Sequence, residues 1–450
     1  MDKYCLGIDI GTSKVAVVIC SSADNVIKVL SETHNANIET YYTTRVEQDP
    51  HKMLEVCFKL IKSLPAELKE RIGAIGITGQ MHGIVLVDSE FSPVINLVNW
   101  QDRRCTEVPG LLHSISEKTK YKLNDGFGFA TLLWYLHNNS LPLETHYGTT
   151  VQDLLVAKLT KHKQLLIDTS MAASWGFFDI KSQTWDYEAI KSTGINLNML
   201  PKILPCGDIA GKLSVEAAKE LGIPQGVLVM VPIGDNQASL MGTIRDIKNE
   251  ITLTLGTSSQ ASVISDFPIG VKGVSTFENR PYAFKKTAVV AAAMCGGNAW
   301  KWLAEFIIHI ISSVGLESPP IDKIYELMNN EGLKAKDELI INPYFHGERY
   351  NEELKGAIEG ITLGNMNIGT LARGLAKGLI KNLKDMLPED VRKNKKTIVG
   401  SGNALRRTPL FQQMIKEEFG LALEILDSKE ETSIGAAINA YNALNKVSML

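Results

Sequence analysis

A chain of 450 residues, 44% hydrophobic and 22% charged, has the balance of an ordinary globular protein and is too long for one undivided core, so two domains are expected. A formal net charge of -3 leaves no excess of Lys and Arg for tracking a phosphate backbone, which excludes general DNA or RNA affinity and favours small ligands. Six scattered cysteines (Cys5, Cys20, Cys57, Cys105, Cys206, Cys295) include no CxxC pair, which argues against a disulfide framework or a structural zinc and for a reducing, cytoplasmic setting.

The N-terminus, MDKYCLGIDIG, runs straight into a strand pattern without the basic, apolar and small-residue regions of a signal peptide, so secretion is not expected. Residues 5–19 read as an apolar strand, the turn Gly11-Thr12-Ser13 and a second apolar strand. A tight Gly turn can expose consecutive backbone N–H groups, with Thr and Ser hydroxyls beside them, and so suits a phosphate; it can equally be a plain structural turn. Asp9, two residues earlier in the apolar strand, would cost several kcal/mol to bury without a partner. A hydrated Mg²⁺ bridging nucleotide phosphates would supply one, and a solvent-exposed strand end would remove the need.

Residues 72–77 form a short apolar run typical of a buried strand, followed by Gln80-Met81-His82-Gly83 and then by Trp100-Gln101-Asp102-Arg103. Amide, imidazole and carboxylate groups suit neighbouring sugar hydroxyls, and Trp100 offers a flat face to a ligand's C–H surface; each residue could also be structural. A second apolar run, 227–233, leads through Gly234 to Asp235, placing that carboxylate at a strand's C-terminal end, where α/β folds build sites. There it could take a proton from a substrate hydroxyl or cap the following helix, and the two roles are compatible.

The polar stretch 245–250 is the natural boundary between domains 1–245 and 246–450, because 251–264 repeats the opening hairpin with Gly256-Thr257-Ser258 at its turn. There is no GxxxxGK[ST] and no GxGxxG at the first strand, so this is neither a P-loop nor a dinucleotide fingerprint. The apolar stretch 287–311, broken by Gly296 and Gly297, reads as strand, turn and helix and not as a membrane span. Residues 371–387 have helical spacing, 397–399 enter Gly400-Ser401-Gly402-Asn403 before a helix from Pro409, and a helix over 433–444 closes the chain. The class is α/β. The Gly400–Asn403 turn could let the backbone approach an adenosine, or simply join strand to helix.

In their order as much as their content, these segments resemble the FGGY carbohydrate kinases, and the resemblance spans nearly the whole chain. DIGTSKVAV is similar to that family's first phosphate loop, TLGTSSQ to its second, GDNQAS to the segment carrying the base, and GSGNALRRTPLFQQMIKEEFG to the adenosine segment. The resemblance implies two actin-like (ribonuclease H-like) domains with ATP bound in the cleft between them. It assigns Asp9, Gly11, Thr12 and Ser13, with Gly256, Thr257 and Ser258, to phosphate; Gly400, Gly402 and Asn403 to adenosine; Asp9 and Asp235 to Mg²⁺; and Asp235 to proton abstraction. GQMHG and WQDRRC imply that Gln80, Met81, His82, Trp100, Asp102 and Arg103 face a ketose. Thr131, where pentulose and glycerol kinases usually carry Lys, and Ala172-Ala173-Ser174-Trp175-Gly176-Phe177-Phe178 favour a heptulose such as sedoheptulose over xylulose or another pentulose. Arg406 departs from the Ser of many members. The reading expects a monomer or homodimer with no nucleic-acid or membrane partner. An actin-like ATP switch or a sugar-binding pseudokinase is the rival from another class.

Overall fold

The computed structural model describes residues 3–448 other than 24, 272 and 427–429, without the side chains of 446–448. The sequence reading divides the chain once, after Arg245. The contacts divide it with two returns: one unit holds Met1–Gly242, Arg280–Lys286 and Lys429–Leu450, the other Thr243–Asn279 and Thr287–Ser428.

In the first unit β1 (Tyr4–Ile10) and β2 (Lys14–Ser22) form the expected antiparallel hairpin, and β3 (Asn25–Thr33) continues it. Helix α1 (Pro50–Lys62) starts where Asp49 accepts the N–H groups of His51 and Lys52 and Pro50 supplies a preset φ, and it ends on Lys59 and Lys62 at the negative end of its dipole. Next comes β4 (Ile72–Gly79), buried at every position, as a central parallel strand should be. Strands β5 (Ile209–Lys212) and β6 (Leu228–Met230) follow, then the two-residue β7 (Ile233–Gly234), giving the order β5–β6–β4–β1–β2–β3 with β7 also beside β4. The apolar run 227–233 is thus two short strands. Between β4 and β5 an inserted region builds its own core on Phe129, which meets Trp175, Phe177 and Trp185 edge-on or tilted. Helix α2 (Thr169–Trp175) lies there, and α3 (Asp235–Thr243) follows β7 directly.

The second unit repeats the plan. Hairpin β8 (Glu250–Leu255) and β9 (Ser259–Ser265) is extended antiparallel by β10 (Lys286–Ala293), while β11 (Thr397–Ser401) and β12 (Ala422–Ile425) add parallel strands on the other side of β8. The order β10–β9–β8–β11–β12 mirrors β3–β2–β1–β4–β6 of the first unit, so the sequence echo corresponds to a shared sheet plan. Helices α4 (Gly297–Ser313) and α5 (Ile368–Met386) pack Trp300, Leu303, Leu379 and Leu383 into its core.

The C-terminal helix, Glu431–Ser448, packs on the first unit's sheet. Its buried residues Ala437, Ala440 and Ala443 pack with Cys5, Val18 and Ala74. Approach is so close that a Cβ at Gly7 would lie 2.0 Å from the Ser433 carbonyl oxygen, and one at Gly76 1.8 Å from that of Ala436. Among the described residues no helix is long and apolar enough to cross a membrane, and all six cysteines are free and buried.

Because that contact is backbone against backbone, no side chain can turn aside to admit a methyl group. Gly76→Ala is expected to lose about 1–3 kcal/mol in urea unfolding. Gly270→Ala, which meets nothing within 4 Å, should stay within about 0.5 kcal/mol; equal values for the two would refute this packing.

Candidate active site

Strand register sets the site. Asp9 on β1 and Ile233 on β7 both pair with Thr78 of β4, one on each side, and Ile10 and Gly234 likewise flank Gly79. Asp9 and Asp235 therefore emerge at the same end of the sheet, where α3 begins with Asp235 and its dipole favours negative charge. Burial raises the Asp9 carboxyl to about 7, with repulsion from Asp235 and Glu430 adding to the rise and Lys14 opposing it. Burial also raises Asp235 to about 6, against the Asn236 backbone N–H and the Arg280 guanidinium. Asp9 Oδ1 is buried and accepts no hydrogen bond.

That orphaned oxygen, facing a second carboxylate, fits a hard divalent cation. Among the described residues no three His, Cys, Asp or Glu side chains converge as a metal cage. The pair therefore suits an ion such as Mg²⁺, which keeps waters and takes phosphate oxygens beside one or two carboxylates.

The Gly11–Ser13 turn closes with Gly11 N–H donating to the Lys14 carbonyl at 3.0 Å. Its own carbonyls are tied back: Thr12 O accepts Gln48 Nε2 at 2.7 Å, Ser13 O accepts His34 N–H at 3.3 Å, and Gly11 O lies 3.3 Å from His34 Nε2. His34 Nδ1 accepts the Ala36 N–H at 3.1 Å, so Nε2 carries the proton, and burial lowers the ring's pKa in keeping with that neutral form. A loop whose carbonyls are drawn inward is organised as an anion loop requires.

Gln48 continues the network by accepting Gln80 Nε2 at 2.8 Å. Gln80 N–H donates to Ile10 O at 3.0 Å, and its carbonyl accepts Gln152 Nε2 at 2.8 Å. Gln80 is 3% exposed, and its Oε1 is buried without a partner. Met81 lies against Gly234, where a Cβ would meet its Sδ and Cε at 2.7 Å. His82 has φ 72°. Its N–H and Nδ1 bond Ser174 Oγ and O at 3.0 and 2.7 Å, and its ring stacks on Phe127 at 4.6 Å. Trp100 is 46% exposed and donates from Nε1 to Thr12 Oγ1 at 3.0 Å, joining the sugar group of residues to the first turn.

The expectation for Asp102 needs correcting. It is 1% exposed, and its two oxygens accept the Val46 N–H and the Arg104 N–H, Nε and Nη2, all between 2.8 and 3.0 Å. Arg104, itself 2% exposed, requires that partner, so Asp102 holds its own loop together. Arg103 is exposed, its N–H bound to Thr44 O at 2.7 Å. Thr131 is buried in the helix Gly128–His137.

In the second unit the turn Gly256–Ser258 and the turn Gly400–Asn403 lie together at the C-terminal ends of the parallel strands β8 and β11, where Thr254 pairs with Ser401. Gly256 N–H donates to Ser258 O at 3.0 Å. Gly402 has φ 95°, and a Cβ there would stand 2.3 Å from Leu255 O. Gly296 and Gly297, which sequence reasoning used only as breaks in an apolar run, belong to this group. Gly297 N–H donates to Gly256 O at 2.8 Å and Asn298 N–H to Thr257 O at 3.0 Å, seating the hairpin on the start of α4. Asp168, Ser170, Gln48, Gln152 and Ser174 were also missed, since single polar residues in apolar surroundings carry no spacing signal.

Comparison with known proteins places this geometry. Residues 4–242 match the N-terminal domain of the FGGY family of carbohydrate kinases, and residues 251–444 match its C-terminal domain. The chain belongs to the FGGY family. It is a carbohydrate kinase. The sedoheptulokinase of Mus musculus is 29% identical over 448 residues, with 92% of each chain covered, and that of Homo sapiens 29% over 470, with 96% of each. The xylulose kinase of Lactococcus lactis is 25% identical, covering 97% of this chain and 87% of the relative. Among solved structures, a ligand-bound xylulose kinase from Lactobacillus acidophilus superposes with a TM-score of 0.81 at 22% identity, covering 99% of this chain and 90% of that one, which establishes the shared fold. FGGY kinases use ATP, so a nucleotide is this kinase's second substrate.

A carboxyl whose folded pKa is raised stabilises the fold fully below its ordinary value of 3.8 and loses that contribution as pH climbs through about 7. In chelator, the wild-type melting temperature should therefore fall between about pH 4 and 7, and Asp9→Asn should flatten that fall and melt several degrees higher at pH 8. A variant that melts lower than wild type at pH 8 would show that Asp9 is already satisfied by protein groups.

Proposed function

We propose that this FGGY kinase transfers the terminal phosphoryl group of ATP to the terminal hydroxyl of a ketose, with sedoheptulose preferred, and that Asp235 takes the hydroxyl proton. The observation that carries the reading is the half-buried Asp235 directly after β7, one strand from Gln80 and Met81, its carboxyl raised by burial. The hydroxyl oxygen attacks the terminal phosphorus, the bond to the ADP oxygen breaks, and the proton passes to Asp235; placement matters more here than basicity. Bound Mg²⁺ would neutralise phosphate charge, and Asp9, with Asp235 beside it, are the residues that fit it. The family resemblance assigns Gly11, Thr12 and Ser13, and likewise Gly256, Thr257 and Ser258, to phosphate, and Gly400, Gly402 and Asn403 to adenosine. Gln80 Oε1, His82 and the exposed face of Trp100 serve the sugar.

The heptulose preference rests on two supports. Sedoheptulokinases are the relatives that match at 29% identity over 92–96% of the chain. The segment 172–178, in which the sequence resembles heptulose enzymes, contains Ser174, which holds His82 through both its hydroxyl and its carbonyl. Specificity would then enter through the placement of His82, because a polar pocket left unpaired by a shorter sugar discriminates strongly.

Turnover with ATP on sedoheptulose, D-xylulose, D-ribulose and gluconate, with product mass measured, tests the reading. Sedoheptulose should exceed the others by at least about tenfold in kcat/KM; a preference for xylulose or gluconate would overturn the assignment. Asp235→Asn should lower kcat by about 10²–10⁴ with nucleotide affinity nearly unchanged, and near-normal turnover would remove Asp235 from the chemistry.

A further inference from the structure

The base has a support that the motif does not contain. Strand Leu166–Asp168 ends in Asp168, whose Oδ2 accepts the Ser170 N–H at 3.0 Å and whose Oδ1 accepts the Met171 N–H at 2.8 Å, an ordinary N-cap for α2. Capping does not account for the Ser170 hydroxyl. That hydroxyl donates to both oxygens of Asp168, at 2.9 and 2.8 Å, and accepts the Gly234 N–H at 2.9 Å from 64 residues away. Asp168 is 0% and Ser170 1% exposed, so no solvent competes.

The direction of this relay is fixed by valence. A hydroxyl has one proton; once it is committed to a carboxylate, only lone pairs are left to face the amide. The carboxylate thus makes the hydroxyl an obligate acceptor, and the hydroxyl pins the peptide that ends at Gly234, one residue before Asp235. Two further contacts hold the same residue: β4 flanks it through Gly79, and Met81 leaves no room for a Cβ. A short two-residue strand would otherwise hold Asp235 loosely, and a misplacement of about 1 Å can cost about 10²-fold in rate.

We propose that Asp168 and Ser170 are positioning residues for the base, setting where the Asp235 carboxylate stands while contributing nothing to sugar or nucleotide affinity; this rests on Asp235 being the base. Cys206 provides the control, because its buried thiol bonds the same Asp168 carboxylate but makes no link to Gly234.

The test uses the full chain and the sugar that it phosphorylates fastest. Ser170→Ala should lower kcat at least about tenfold while KM for sugar and for ATP stays within about threefold. Ser170→Thr, which restores the hydroxyl, should recover most of kcat, and Cys206→Ala should stay within about threefold of wild type. Asp168→Asn is the second route: its amide would donate to the hydroxyl and turn the hydroxyl proton toward Gly234, so kcat should fall as for Ser170→Ala. Wild-type kcat in Ser170→Ala or Asp168→Asn would overturn the proposal, as would a loss in Cys206→Ala equal to that in Ser170→Ala, which would mark general packing damage. Asp235→Asn run in parallel separates the two ideas. If it is inactive while Ser170→Ala turns over normally, only the relay fails; if it is active, the base assignment fails first.

Discussion

Two carboxylates held at one end of a buried sheet and raised by that burial are the constraint on which the first unit turns. Asp9 is paired with Thr78 of β4, and Asp235 follows directly on Gly234, which flanks Gly79 of the same strand. Burial raises both, Asp9 to about 7 with repulsion from Asp235 and Glu430 adding to the rise, and Asp235 to about 6, a cost that the fold bears continuously near neutral pH. Such a cost persists where the surroundings over-determine the geometry, and where the same groups later face charge of the opposite sign.

The network beside the first turn is built of uncharged groups: Gln48, Gln80, Gln152 and the neutral form of His34 fix direction by donating and accepting in one order, from the Thr12 carbonyl through Gln48 to Gln80. In the inserted region the buried Asp102 pairs with Arg104, which Glu47 also bridges. The first turn, Gln48 and Gln80 are therefore joined by hydrogen bonds, and the Trp100 indole is bonded to the Thr12 hydroxyl.

Much of this was legible because it depends on local rules. Gly-Thr-Ser between apolar strands can be little other than a tight turn, and both copies close with the Gly amide bonded across it. The strands 4–10, 72–79 and 250–255 and the helices from Pro409 and over 368–386 carry period and punctuation that the chain states plainly. What was not legible depends on partners distant in sequence. The C-terminal helix has a stripe of alanines that fits any close-packed surface; that it fits the first sheet follows only once Gly7 and Gly76 are seen opposite it. Asp102 had the chemistry of a sugar contact, and nothing in WQDRRC reveals that Arg104 consumes both its oxygens. Ser170 precedes no glycine and follows no motif, and its importance lies in an amide 64 positions later.

The account's central claim is spatial: the Asp235 carboxylate receives the proton of the attacking hydroxyl. A crystal structure of the wild-type enzyme with its sugar and a non-hydrolysable ATP analogue measures this directly. The account predicts one Asp235 oxygen within about 2.6–3.2 Å of the sugar's terminal hydroxyl, on the side away from the nucleotide's outermost phosphorus. A sugar bound with that hydroxyl on another acceptor, and Asp235 out of reach even through one water, would contradict it.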